Sequence, residues 1–474
     1  MSVFLEKFEN FLKSKLYIAI VMVYVFLSWH IKAGPSISGM SFANAIGLIG
    51  ITFMWSIVAL LYKDAQYGLP LVLSLCYMLS SSDLNLKTLS EMVPILVAAI
   101  FFLIGVFGHI IRFRRKIKWG SLSLGLLLMA IASFMPFLYV DITFPLIVLS
   151  LVGVLHFLVY MYFDNYSKID LQYFFWILYG LSWLLFFQLI SRYTGYLLKH
   201  GVNSYPNGIR DSWSGFNNFG WGVINDVFIH LLMLLPVHIY YIIKKPNKFI
   251  YWAGALIIIF SFIVSGSRGG VMGLIISIPF YVYFILKYSN RQGRINLAII
   301  GIITLGFFIA GYNVVEAIIN GLKKSLEGDG STGRFTLWKQ GWETFKMYPI
   351  FGGGWGSRIM TWGSDTRVVV YHSTIIHTLA IMGIFGMIAV IINWYESLKI
   401  LVRKINLEKW IILVGFISSQ AYGMIDITQH AAFYMIIIIV QIMAIDKSKP
   451  KTKKVLDIEE YQLKPLTNLE LSHN

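Results

Sequence analysis

Charged side chains are scarce in this chain of 474 residues. Asp, Glu, Lys and Arg make up 13% of it, whereas 57% is hydrophobic and 16% is aromatic. An ordinary soluble domain carries about 25% charged residues, so this composition excludes that class. Segments of about 20 apolar residues, the length that crosses a hydrocarbon core of about 30 Å, recur from end to end. The sequence therefore predicts a polytopic, all-α membrane protein.

Cysteine and the common metal motifs are also missing. The single cysteine, Cys76, excludes an internal disulfide and a cysteine metal cluster. No Asp-x-Asp, His-x-x-x-His or His-Glu-x-x-His sequence occurs, so no set of metal ligands is visible. We expect no metal and no other cofactor.

The apolar segments predict about 14 transmembrane helices, within a range of 12 to 14. They start near Leu16, Met40, Gln66, Glu91, Trp119, Pro145, Leu171, Val223, Phe249, Gly269, Ile295, His372, Trp410 and Ala431. We divide the chain into amino-terminal transmembrane helices (1–170), a core (171–446) and a basic tail (447–474).

Lysine and arginine follow an alternating pattern along these segments. Basic connections are retained in the cytoplasm during insertion, and they occur at Arg112–Lys118, Lys244–Lys248, Lys287–Arg294 and Ser397–Lys409. The pattern predicts that both termini are cytoplasmic. The net charge of +16 then reflects topology and anionic lipid of the bilayer, and we expect no nucleic-acid partner.

Two outer connections are too long to be simple turns. They are Lys199–Gly222, which contains Arg210, and Asn313–Tyr371. Loops of this length are usually functional or disordered. In the second loop we predict short helices, one capped by Ser331 or Thr332 and lying along the membrane surface.

The Gly-rich turn Ser265–Gly270 has the outline of an anion site. Its backbone leads into a helix amino terminus, where free N–H groups and Arg268 attract negative charge. Ser267 and Gly269 flank this arginine. An alternative is that glycine supplies the turn and Arg268 reaches lipid phosphates, and the sequence leaves both open.

His372 stands at the start of the helix that follows the long loop. At 100° per residue, His372, Gly383 and Gly386 share one face, and the two glycines allow a neighbouring helix to pack closely. An ionisable group at such a boundary is a candidate functional residue. His377 points elsewhere, and we interpret it as a core histidine.

The outer connections combine three arginines, Arg210, Arg268 and Arg334, with His372. Guanidinium groups bind diphosphate in a bidentate manner, and an imidazole can accept a proton near neutral pH. The combination suits a substrate that carries phosphates and a hydroxyl to be activated.

The sequence here resembles the bacterial O-antigen ligase and polymerase family of polytopic membrane glycosyltransferases. His372-Ser373, nine residues, Gly383, two residues and Gly386 are similar to the family's late motif. Ser267-Arg268-Gly269 looks like its Ser-Arg-Gly turn, and "GRFTLW" with "YPIFGGGWG" looks like its loop entry. "RDSWSGFNNFG" resembles the stretch before them but lacks the proline.

The resemblance implies a chemistry for these residues. An undecaprenyl-diphosphate-linked oligosaccharide would be the donor, and the active site would lie on the extracytoplasmic face of the cell membrane. Arg268 and Arg334 would stabilise the leaving diphosphate, and His372 would act as the base in an inverting, metal-independent transfer. Arg210, Ser267, Gly269 and Trp338 would bind substrate, with Trp338 alternatively anchoring the loop at the interface.

Within this family we favour a polymerase of O-antigen, capsule or exopolysaccharide over a ligase that moves glycan to a lipid, wall or protein acceptor. Other polysaccharide-assembly membrane proteins are expected partners. A flippase or transporter of lipid-linked oligosaccharide is the alternative of another class, and it would use the same arginines without chemistry. A flippase should carry charges deep in its central helices, where this sequence has almost none.

Overall fold

The structure, a computed structural model, describes most of the chain. The described residues are 2–31, 36–37, 40–78, 93–142, 144–201, 219, 221–222, 224–264, 267–310, 333–357, 359–362, 365–368 and 370–448. Their helices are α1 Ser2–Leu12, α2 Lys15–His30, α3 Phe42–Leu61, α4 Leu69–Leu75, α5 Val93–Phe113, α6 Ser123–Phe134, α7 Phe144–Tyr166, α8 Leu171–His200, α9 Ile224–Lys244, α10 Phe249–Val264, α11 Arg268–Tyr288, α12 Arg291–Ala310, α13 Arg334–Met347, α14 Thr374–Val402, α15 Leu407–Gly423 and α16 Ala432–Lys447.

Two short antiparallel hairpins accompany the helices. Strands β1 (Ser36–Ile37) and β2 (Met40–Ser41) form one, and β3 (Ile359–Trp362) and β4 (Asp365–Val368) form the other. The helical architecture is confirmed, but the long loop contains the β3–β4 hairpin in addition to the predicted helix. We predicted only helices there because a four-residue strand has too short an alternating pattern to identify.

Several described helices are suited to a membrane. Seven are long and apolar enough to cross it, and the number rises to eight if α1 and α2, which meet at a bend of 68°, form one span. The protein is therefore multi-pass, while the count of fourteen spans stays a prediction. The seven are Phe42–Leu61, Val93–Phe113, Leu146–Tyr166, Leu171–Lys199, Asn225–Lys244, Gly269–Tyr288 and Thr374–Val402.

Helix α9 lies at the centre of the core. It is enclosed over 94% of its most apolar stretch, and a helix that is apolar all round is expected to be buried on every side. Helices α8, α10, α11 and α15 pack against it. Gly415 of α15 leaves room for Pro236 in the middle of α9. This central helix fixes the neighbours that carry the candidate site.

Basic residues that follow or end several helices lie together at one face of the protein. The Arg115 guanidinium donates to the carbonyl oxygens of Asn165 and Lys63. The Lys447 ammonium lies 3.2 Å from the Asp164 carboxylate and donates to Ser167 at 3.0 Å. The ends of α3, α5, α7 and α16 therefore meet on a common face, which we call the basic face.

Candidate active site

His372 stands two residues before α14 and has an unusual backbone. Its φ is 45°, in the left-handed region that few non-glycine residues adopt. Ser373 is the N-cap of α14, and its hydroxyl accepts a hydrogen bond from the Ile376 N–H at 3.5 Å. The His372 side chain is 33% exposed.

Asp426 is the partner of this imidazole. Its Oδ1 lies 3.3 Å from Nδ1 of His372, and the Asp426 side chain is only 8% exposed. The same Oδ1 accepts a hydrogen bond from the Ile427 N–H at 3.0 Å. A buried carboxylate that holds one imidazole nitrogen fixes the tautomer and the orientation of the ring. Nε2 of His372 has no hydrogen-bond partner among the described residues.

Threonines tie the Asp426 turn to the start of α14. The Thr374 hydroxyl donates to the Asp426 carbonyl at 3.2 Å and accepts from the Thr428 N–H at 3.0 Å. Both threonines are fully buried. These bonds join the turn between α15 and α16 to the residue that opens α14, so His372 and Asp426 are held by one network.

Tyr422 connects this pair to the amino terminus of α11. Its hydroxyl lies 3.4 Å from Oδ2 of Asp426 and 3.3 Å from the Asn225 carbonyl. Ser267, the N-cap of α11, accepts from the Gly270 N–H and donates to the Asn225 side chain at 3.2 Å. The predicted Ser-Arg-Gly turn therefore lies beside the His372–Asp426 pair.

Gly269 is needed for this approach. A Cβ there would stand 2.6 Å from the Tyr422 ring and 3.0 Å from Ile425. The absence of a side chain lets α11 begin against α15. That packing is a structural reason for the glycine, and its part in binding substrate stays a prediction.

Helix α13 brings Arg334 and Trp338 to the same place. The Trp338 indole N–H donates to the His372 carbonyl at 3.0 Å. The Arg334 guanidinium is close enough to act electrostatically on the Tyr422 hydroxyl. Trp338 thus supports the backbone of His372, a role that the sequence did not indicate.

The buried side chain of Tyr371 packs against α13. Gly341 leaves space for the Tyr371 ring, and the Thr344 and Ser357 hydroxyls lie 3.1 and 3.2 Å from the Tyr371 hydroxyl.

The N-cap of α13 is Gly333 at φ 79°, with no side-chain cap. Our assignment of Ser331 or Thr332 as the cap is therefore wrong, because Gly333 occupies the N-cap position.

The packing role that we predicted for Gly383 and Gly386 is also wrong. Gly383 has φ 63° and breaks α14, so the residues before and after it do not share one regular helical face. The loop segment Pro349–Gly354 fills the break, so loop backbone and not a neighbouring helix occupies the space that Gly383 leaves. There the N–H groups of Gly353 and Gly354 donate to α14 at 2.7 and 3.0 Å, and those of Ile384 and Phe385 donate back at 2.9 and 3.1 Å.

Both glycines of this contact lack room for a side chain. A Cβ on Gly383 would overlap the Ile350 carbonyl group, and one on Gly352 would overlap the backbone at Ile381 and Met382. Tyr139 donates to the Gly352 carbonyl, and burial followed by the neighbouring Tyr348 raises the pKa of its hydroxyl, which keeps it a donor. Gly386 packs against Met382 of its own helix. We call this backbone contact between Pro349–Gly354 and α14 the interlock, and it positions the long loop against α14.

His377 is buried, as predicted. Its Nδ1 accepts a hydrogen bond from the Tyr371 N–H at 3.4 Å, and Nε2 has no partner among the described residues. Its ring lies 5.1 Å from that of Trp355 and 5.0 Å from that of His430. Trp355 is itself buried, and its ring also lies 5.9 Å from that of His430.

The remaining predicted site residues are only partly placed. Arg210 lies outside the described residues, and for Arg268 the structure describes the backbone at the first position of α11. Within the described ranges, no group of three or more His, Cys, Asp or Glu side chains could hold a metal ion. A metal-independent reaction stays a prediction.

Sequence reasoning missed Asp426, Tyr422 and Asn225. A signal for Asp426 was present, because "YGMIDITQH" places a lone carboxylate in an apolar stretch between two predicted spans, and such a residue is a candidate functional group. Tyr422 and Asn225 gave no such signal. Their proximity depends on how α9, α11 and α15 pack.

The assembled residues can take part in acid–base chemistry next to a bound anion. Nε2 of His372 has no partner in the described part of the chain, and the Asp426 carboxylate can stabilise positive charge that develops on the ring during proton transfer. Arg334 and the amino terminus of α11 supply positive potential next to them.

Comparison with known families agrees with this arrangement. Residues 253–391 match the family model described as O-antigen ligase, and this segment contains the turn before α11, helix α13 and His372. Asp426 and Tyr422 lie beyond it. No curated protein matches the chain. Over residues 253–391 the chain is therefore similar to the O-antigen ligase family.

Proposed function

We propose that this protein is a surface-polysaccharide polymerase. It transfers glycan from an undecaprenyl-diphosphate-linked donor to a sugar hydroxyl of a second lipid-linked chain. The observation that carries the proposal is the His372–Asp426 pair, joined through Tyr422 to the amino terminus of α11 and flanked by Arg334. It combines a base with a site for an anionic leaving group.

In the proposed reaction, Nε2 of His372 removes the proton from the acceptor hydroxyl. The hydroxyl oxygen forms a bond to the anomeric carbon while the bond from that carbon to the phosphate oxygen breaks. The configuration inverts, and the electron pair leaves with the lipid diphosphate. Asp426 stabilises the imidazolium, which then loses its proton to water or to the departing diphosphate.

The departing diphosphate gains one negative charge, on the oxygen that leaves the reacting carbon, in addition to the charges that it already carries. Arg334 can bind its oxygens in a bidentate manner, and the proposal assigns the same role to Arg268 at the first position of α11. Backbone N–H groups at a helix amino terminus add to this field. Charge stabilisation of this kind is commonly the largest contribution to catalysis.

We further propose that the site faces the outside of the cell. The amino terminus of α9 contacts Tyr422, whereas its carboxyl terminus enters the basic segment Lys244–Lys248, which the positive-inside pattern assigns to the cytoplasm. In a variant with Cys76 replaced by Ser, a cysteine at exposed Lys339 should react with an impermeant thiol reagent in whole cells. A cysteine at exposed Lys116 should not, and the reverse pattern would place the site inside.

Polymerisation is tested by reconstitution with a single substrate. The purified enzyme, given only its own lipid-linked repeat unit, should produce a ladder of longer chains, because donor and acceptor are the same kind of molecule. If the enzyme stays silent with that substrate yet transfers glycan when a lipid or wall acceptor is added, it is a ligase and the polymerase proposal fails.

A further inference from the structure

A groove between α2 and α8 lies far from the candidate active site. Its volume is about 480 Å³, within the range of ligand sites. Apart from one lysine its walls are apolar or aromatic, and they consist of Lys15, Ile18, Ala19, Met22, Val23, Phe26, Trp176, Tyr179, Gly180, Trp183, Leu184 and Phe187. A groove with such walls accommodates a hydrocarbon chain.

The floor of the groove depends on Gly180. A Cβ there would stand 3.0 Å from Ile18 and 3.2 Å from Met22, so α2 and α8 approach closely at this point. On the open side, Ala19, Val23 and Phe187 are exposed. Because α8 is one of the candidate spans, this open side faces the acyl chains of the bilayer.

Two ammonium groups converge at one end of the groove. Nζ of Lys15 lies 3.8 Å from the Trp176 ring centre, and Nζ of Lys245 lies 5.7 Å from the same ring. The two charges are close enough to repel each other. Neither forms an ion pair with a carboxylate in the part of the chain that the structure describes. Two positive charges beside one aromatic ring can together bind a phosphate group.

The position of Lys245 indicates which leaflet of the bilayer this end of the groove contacts. It directly follows α9, whose other end contacts Tyr422 through Asn225. A helix of 21 residues spans roughly 30 Å, so the two lysines lie about one hydrocarbon thickness from His372. The adjacent basic segments identify this side as the cytoplasmic one, where the lipid surface is anionic.

We propose that this groove binds one anionic phospholipid of the cytoplasmic leaflet. Its phosphate lies between Lys15 and Lys245, and one acyl chain occupies the space between α2 and α8. Charge complementarity selects an anionic headgroup over a zwitterionic one, and the apolar walls select a lipid over a free phosphate. The site is separate from the donor site.

Native mass spectrometry of the purified full-length protein tests the proposal, with dioleoylphosphatidylglycerol and dioleoylphosphatidylcholine as probes. The wild type should retain one phosphatidylglycerol and bind phosphatidylcholine at least tenfold more weakly. A variant with both Lys15→Gln and Lys245→Gln should lose this preference. The control with Lys116→Gln and Lys118→Gln, which removes the same charge from exposed positions of the basic face, should keep it.

A second variant tests the groove itself without changing charge. Ala19→Trp places a bulky ring in the groove from an exposed wall position and should weaken retention of phosphatidylglycerol at least tenfold. Unchanged binding by the Lys15/Lys245 variant would overturn the proposal, and so would equal loss in the control. If Ala19→Trp fails to fold, the two lysine variants still decide the question.

Discussion

Nδ1 of His372 lies 3.3 Å from Oδ1 of Asp426, and Oδ2 of the same buried carboxylate lies 3.4 Å from the Tyr422 hydroxyl. The imidazole therefore belongs to a network that crosses from α14 to α15 and reaches the start of α11. In the proposed reaction, a base held in this way presents only Nε2 to substrate.

The charge of Asp426 should be required for transfer. Asp426→Asn keeps the size of the side chain but cannot stabilise an imidazolium, so we expect kcat to fall by about 10²-fold or more with little change in KM for the donor. Steady-state transfer by the purified variant measures both constants. Asp141→Asn, an exposed carboxylate, is the matched control and should behave as wild type.

Trp338 should act through its N–H group. Trp338→Phe keeps an aromatic face but removes the hydrogen bond to the His372 carbonyl, which we expect to lower kcat up to about tenfold, the value of one hydrogen bond. Trp342→Phe, at an exposed site on the same helix, should have no effect. Full activity in Trp338→Phe, combined with loss in Trp338→Ala, would favour sugar stacking instead.

The interlock at Gly383 should govern stability. Gly383→Ala places a Cβ at φ 63° and ψ −159°, a region that is essentially restricted to glycine and where strain alone costs about 1–3 kcal/mol, and the overlap with Ile350 adds to it. Thermal unfolding in detergent should show a lower midpoint. Gly301→Ala meets nothing within 4 Å and should leave the midpoint unchanged or raise it slightly, because alanine favours a helix. Equal midpoints for both variants would show that the contact at Gly383 does not govern stability.

Arg334 should not be replaceable by lysine. A point charge cannot reproduce the forked contact to a diphosphate, so Arg334→Lys should weaken transfer by about tenfold or more, and Arg268→Lys should do the same. The control is Arg291→Lys, which changes an exposed arginine at the first position of α12. If both site variants retained near-normal transfer, the arginines would serve as surface anchors only.

The sequence predicted those parts of the molecule that rest on local patterns. Long apolar segments indicated membrane helices, and the spacing of His372, Gly383 and Gly386 pointed to a segment that the O-antigen ligase family model also matches. The role of the glycines was misjudged because a regular helix was assumed. Only the structure shows that the break at Gly383 accepts the loop backbone.

The partners of His372 could not be derived from the sequence in the same way. Asp426 lies 54 residues after His372 in the chain, and Trp338 lies 34 residues before His372. Their contacts depend on helix packing and on the left-handed turn at His372, neither of which a hydropathy pattern contains. The pairing of α11 with Tyr422 likewise follows from packing at Gly269.

The central claim is that His372 is the base in glycan transfer, and His372→Asn tests it most directly. Asparagine tolerates the left-handed backbone at this position, so the variant should fold, with the elution profile and unfolding midpoint of the wild type. Given purified lipid-linked repeat unit, it should bind the donor but form no ladder, with transfer reduced at least about 10²-fold. Polymer formation at a rate close to that of the wild type would contradict the account.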